Sequence, residues 1–186
     1  AARLNDGDEL TEAEATTIAQ AVEAGADAIV VPAELLIEPE KTADLAPPKS
    51  LYAQIVTMGM GEKIKLALRG NKEARAILVR DSNRLIRRFV LTNPRITDSE
   101  VIGIARNRNA DDEMLRMIGD KREWIRNYQV KLALTTNPKT PLVMAIKYVA
   151  VLGERDLRQL ARSKNVPEAV AAHARRLVLA RRPGGT

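Results

Sequence analysis

The sequence predicts an all-α chain built of antiparallel helix pairs stacked side by side, an α-solenoid, preceded by a mostly irregular acidic arm. Three observations predict it. Ala, Leu, Ile, Val and Arg predominate while aromatics make up 3% of 186 residues, which favours helices over a large β-sandwich. From Ser50 onward apolar residues recur at three- and four-residue spacing. Short joints bearing Asn, Asp, Gly or Pro separate these blocks, with no long loop between them.

The elements follow in order. Thr11-Glu12-Ala13-Glu14 is a capping box, so an amphipathic helix is expected through Ile18, Ala21 and Val22, ending near Gly25. Prolines 32, 39, 47 and 48 mark the run from Val31 to Ser50 as a linker. Helical blocks are then expected over 51–58, 62–69, 73–80 and 84–91. Thr97-Asp98-Ser99-Glu100 is a second capping box, and Asn109 is placed to cap the helix carrying Met114, Leu115 and Ile118. A longer block runs from about Lys121 to Thr135. Thr140-Pro141 reads as a cap with proline at the first helical position, leading to Gly153. Leu157, Leu160 and Ala161 define the penultimate helix, and Asn165 with Pro167 opens the last.

Charge divides the chain. Residues 1–48 hold two basic residues, Arg3 and Lys41, against eleven acidic ones, a net of −9. Residues 49–186 hold 28 basic and 13 acidic, a net of +15. The expected organisation is therefore an acidic arm over 1–48, a helical repeat domain over 49–182 and a tail over 183–186. Opposite charge provides attraction for the arm to dock on the chain's own basic face.

The joints repeat. Val90-Leu91-Thr92-Asn93-Pro94-Arg95-Ile96-Thr97 parallels Leu134-Thr135-Thr136-Asn137-Pro138-Lys139-Thr140-Pro141, with the two Asn-Pro pairs 44 residues apart. Ile104-Ala105-Arg106-Asn107-Arg108-Asn109 parallels Leu160-Ala161-Arg162-Ser163-Lys164-Asn165. Asn ends a helix in a turn, and proline forbids its continuation. An apolar helix ending in Asn-Pro, followed by one ending in a Leu-Ala step, resembles the leucine-rich repeat variant branch of HEAT-like α-solenoids. The likeness is clearest over 125–178 and weaker over 85–118. Members of that branch can carry a cysteine-bound iron–sulfur cluster, which a chain with no cysteine cannot hold. Glu62-Lys63-Ile64-Lys65-Leu66-Ala67, with Gly70-Asn71-Lys72-Glu73-Ala74-Arg75, is similar to an uncharacterised family of bacterial proteins, mainly from myxobacteria. That resemblance implies no activity.

Chemistry is scarce. The absence of cysteine excludes disulfides, thiolate metal sites and a thiol nucleophile. One histidine, His173, is too few for a zinc site or a His-based catalytic site. Asp6-Gly7-Asp8 lacks calcium-loop spacing, and Met58-Gly59-Met60-Gly61 lacks that of a phosphate loop. No catalytic residue, metal or cofactor is expected, and the chain is read as non-enzymatic. No apolar stretch reaches the roughly 18 residues of a membrane span. Without an export signal the expected compartment is the cytoplasm.

The basic faces are the strongest functional feature. Arg84, Arg87 and Arg88 share a helix face, as do Arg155, Arg158 and Arg162, while Arg122 and Arg126 flank Trp124, the only tryptophan. The planar guanidinium fork suits carboxylate and phosphate. The sequence therefore reads as a scaffold or binding module that recognises an anionic macromolecule, foremost another protein, with these arginines and Trp124 as contacts, Trp124 being by its type either a core side chain or an exposed anchor. The alternative is a nucleic-acid-binding protein, DNA-modifying if the scaffold carries an active site, in keeping with a pI near 9.8. The acidic arm and the low aromatic content weigh against it.

Overall fold

The computed structural model describes residues 10–38 and 49–181. It is all-α among those residues, and the chain divides into two compact units, Ala1–Ile96 and Thr97–Thr186. The change of charge near Pro47-Pro48 falls within the first unit. Most of the expected linker, over 39–48, and the tail over 183–186 lie outside the described residues.

The first unit holds α1 (Glu12–Ala24), a short 3₁₀ turn (Ala33–Leu35), α2 (Lys49–Val56), α3 (Met60–Arg69), α4 (Lys72–Leu78) and α5 (Arg84–Thr92). The capping box opening α1 is formed. Glu14 Oε2 accepts from the Thr11 backbone at 2.9 Å and Thr11 Oγ1 from the Glu14 backbone at 3.3 Å. The Thr11 hydroxyl also donates to Glu14 Oε2 at 2.7 Å, and this bond first, then the Thr11 backbone N–H, holds the Glu14 carboxyl below its ordinary pKa. Gly25 ends the helix at φ +68, a left-handed conformation that glycine adopts without a Cβ penalty.

The buried face of α1 is made of small side chains: Ala15, Ala19 and Val22. They join Ile64, Leu66, Ala67, Leu68, Ile86 and Val90 in one core, with α3 packed between α1 and α5. The described part of the acidic stretch is thus folded into the unit, and its polar groups are bound at specific atoms. Lys65 Nζ bridges Asp27 Oδ1 at 2.7 Å and the Ile29 carbonyl at 2.6 Å, which holds the Asp27 carboxyl below its usual value. Arg69 donates to the Glu23 carbonyl at 2.8 Å, at the negative end of the α1 dipole. Arg75, 2% exposed, reaches Glu38 at 2.6 Å and the Gly70 carbonyl at 2.9 Å. Only glycine fits at position 70, because a Cβ there would lie 2.3 Å from the Leu66 carbonyl oxygen.

The second unit holds α6 (Asp98–Arg106), α7 (Asp112–Asp120), α8 (Arg122–Arg126), α9 (Tyr128–Thr136), α10 (Leu142–Val149), α11 (Glu154–Arg162) and α12 (Glu168–Ala180). Helix α9 packs on α6 and α10, and α12 packs on α10 and α11. The capping box at Thr97 and Glu100 is formed. The block expected over 121–135 is broken at Asn127, which ends α8 and caps α9 by accepting from the Gln129 backbone at 2.9 Å. Asp111, not Asn109, caps α7.

One turn recurs at the joints. Asn93 Oδ1 accepts from the Arg95 backbone at 2.9 Å, while Ile96 donates to the Asn93 carbonyl at 3.2 Å. Asn107 makes the same pair of bonds with Asn109 and Ala110, and Asn137 makes it with Lys139 and Thr140. At Ser163 the hydroxyl accepts from the Asn165 backbone at 3.2 Å. In two joints the carboxamide also reaches back to an earlier helix. Asn93 Nδ2 donates to the carbonyls of Ala67 and Gly70 at 2.9 and 3.3 Å. Asn137 Nδ2 donates to those of Ala105 and Asn107 at 2.8 and 3.0 Å. Both side chains are buried. Each asparagine therefore satisfies carbonyls at a helix C-terminus, which have no partner within their own helix.

The expected cap at Thr140 is not made. Pro141 precedes α10 without a side-chain cap bond, and Thr140 turns inward, 5% exposed, with no partner for its hydroxyl. Ala110, buried, and Ile96, half-buried, occupy the same place in their turns, one residue before the cap of the next helix.

Two stability changes follow. Thr140→Val keeps the shape and removes an unpaired buried hydroxyl, so urea unfolding is expected to show a gain of about 1 kcal/mol. Asn137→Asp places a carboxylate against two carbonyls it cannot donate to. A loss of about 2–4 kcal/mol is expected in the same measurement, with Asn137→Ala losing less.

Candidate functional site

The three expected basic faces have different fates. On α5, Arg88 pairs with Glu12 at 2.8 Å and Arg84 lies 3.9 Å from the same carboxylate. Arg87 turns back to the carbonyls of Asp81 and Ser82 at 2.6 and 2.8 Å. This stripe is occupied by the chain's own acidic segment and by the turn before the helix.

Near α8, Arg122 and Arg126 are exposed, with no ion pair or hydrogen bond to the described residues. Of the two readings of Trp124, core side chain or exposed anchor, the structure shows the first, and the contact expected of it is corrected. It is 5% exposed and turned into the second unit, with Lys121 Nζ 4.1 Å from its ring centroid. The physical reason is its apolar area: a short helix with one large aromatic gains most by burying that ring while a lysine covers its face.

Helix α11 is strongly amphipathic. Leu157 and Leu160 are buried with Val149, Leu152, Val170 and Ala174. The opposite face carries Arg155, Arg158 and Arg162, all exposed. The start of the helix is fixed by a hydrogen-bond relay. The Tyr128 hydroxyl donates to Asp156 Oδ2 and accepts from the Gly153 backbone at 3.0 Å. Burial and the Asp156 carboxylate push the Tyr128 pKa up, since both disfavour the phenolate. Asp156 is thereby engaged inward and does not face the arginines.

Arg158 pairs with Glu154 one turn before it, and Arg175 of α12 pairs with Glu168 while donating to the Ala161 carbonyl at 3.1 Å. Both pairs are solvent-exposed. Arg155 and Arg162 have no such partner among the described residues. Between α11 and α12 runs a groove of about 390 Å³ lined by Arg158, Ala161, Arg162, Arg175, Val178 and Leu179. Its rim is cationic and its wall apolar, with Leu179 62% exposed. Sequence reading missed Val178 and Leu179. Their signal was Arg175-Arg176-Leu177-Val178-Leu179, where residues three and four positions after Arg175 share its face.

His173 is half-buried, with Arg176 at 3.5 Å from its Nδ1. Among the described residues no group of three or more His, Asp or Glu side chains could hold a metal ion, and no helix is long and apolar enough to cross a membrane. Arg181 caps α10 by donating to the Leu152 and Ala150 carbonyls at 2.8 and 2.7 Å. Compared with protein-family models, curated proteins and solved structures, the chain matches none.

The Tyr128 relay predicts an alkaline transition. A group whose folded pKa is raised stabilises the fold below its unfolded value, about 10 for tyrosine, and loses that contribution as pH rises through the folded value. Unfolding followed against pH is expected to show stability falling above about pH 10, with Tyr128→Phe less stable at neutral pH and lacking that part of the alkaline loss.

Proposed function

We propose that this chain is a non-enzymatic helical-repeat binding module that recognises an acidic protein partner through the arginine face of α11. The observation that carries the reading is the pair Arg155 and Arg162, exposed on one helix face with no ion-pair partner among the described residues. Seven residues of α-helix separate them by about 10 Å, with Arg158 between. Guanidinium forks at that spacing present several donors to carboxylates along one line. The α5 stripe contributes less to this reading, because Glu12 already engages Arg84 and Arg88. Trp124 is set aside as a contact on account of its burial. Arg122 and Arg126 are secondary contacts. The repeat assignment rests on the turn shared by the joints at Asn93, Asn107 and Asn137.

The test is retention of the full chain on immobilised polyglutamate. The double variant Arg155→Glu, Arg162→Glu is expected to bind at least about tenfold more weakly, with a shallower dependence on salt. Unchanged retention would overturn the proposal. Tighter retention on duplex DNA than on polyglutamate, with a steep salt slope, would favour the nucleic-acid reading instead.

A further inference from the structure

We infer that the α11–α12 groove takes an acidic peptide segment carrying one apolar anchor, so that the partner is chosen by a hydrophobic side chain as well as by charge. This rests on the α11 reading above and adds to it the chemistry of the groove. Arg158 and Arg162 stand on the α11 side and Arg175 on the α12 side, while Ala161, Val178 and Leu179 supply the apolar wall. A purely ionic surface has no use for an exposed leucine beside three arginines, yet Leu179 is 62% exposed here. Bare polyanions leave that wall wet. A peptide with carboxylates on either side of a leucine or similar side chain covers it while pairing with the arginines.

Charge complementarity selects an acidic occupant. The acidic groups near the groove, Glu154 and Glu168, are already paired with Arg158 and Arg175. Asp156 is held by Tyr128. Both exposed pairs exchange readily for a partner's carboxylates, because ion pairs in water are weak. Arg162 in the lining and Arg155 beside the groove then add positive charge with no ion-pair partner among the described residues.

The test is fluorescence anisotropy with the full chain and two short labelled peptides. Each carries the same acidic residues around a central position that is Leu in one and Ser in the other. The Leu peptide is expected to bind at least about tenfold more tightly. Leu179→Ser is expected to abolish that ratio while leaving polyglutamate binding unchanged. Leu179 is exposed, so the variant keeps the fold, which circular dichroism checks. Equal affinities for the two peptides, or a ratio unmoved by Leu179→Ser, would overturn the groove assignment and leave the α11 reading standing. Loss of polyglutamate binding upon Arg155→Glu, Arg162→Glu with no peptide preference separates the two claims. A single-stranded oligonucleotide of matching charge binding more tightly than the Leu peptide would also overturn the groove assignment. So would a concentration-dependent dimer in sedimentation that Leu179→Ser dissolves, since the occupant would then be a second copy.

Discussion

The fold depends on what a buried carboxamide does at the end of a helix. Short helices pack well but leave many terminal carbonyls without partners, and burying such a group unpaired costs more than most single contacts return. Asn93 and Asn137 solve this in one side chain. The oxygen closes the local turn by accepting from the backbone two residues on, and the nitrogen binds carbonyls that end an earlier helix. No other neutral side chain of that length offers both a donor pair and an acceptor, glutamine being one methylene longer. Asn71 does the same work in the first unit, donating to the Glu34 and Ile37 carbonyls while accepting from the Ala74 backbone. Each of these residues sets a turn and ties down a distant segment at once.

Arginine plays two parts that composition alone does not separate. Arg69, Arg75, Arg87, Arg95 and Arg181 donate to main-chain carbonyls, where a planar fork can serve more than one acceptor. They act as mortar between segments. Arg155 and Arg162 stand clear of such acceptors. The net charge of the chain therefore overstates the surface available to a partner, and the functional argument rests on a few positions.

Much of this was legible in the sequence where the signal is local. The capping boxes at Thr11 and Thr97 and the Asn-Pro joints depend on neighbours within a few residues, and they form where the spacing places them. Signals that depend on the tertiary environment were not legible. Trp124 sits among charged neighbours, so its own window leaves core and surface both open, and what α8 packs against decides for the core. Thr140 has the identity of a cap, but the turn at Asn137 points it inward. The break at Asn127 is invisible to periodicity, because apolar spacing runs through it. The groove was missed because its two walls come from different helices.

The placing of α1 also changes what the acidic segment is. Its charge suggests an appendage, yet Ala15, Ala19, Val22 and Leu35 are buried in the core of the first unit. A chain trimmed at the point where charge changes sign would lose one wall of that core. Ile64, Leu66 and their neighbours would then face water, and the remainder would be prone to self-association. The described part of the acidic stretch, residues 10–38, is thus a structural partner supplied in cis to the helices it covers.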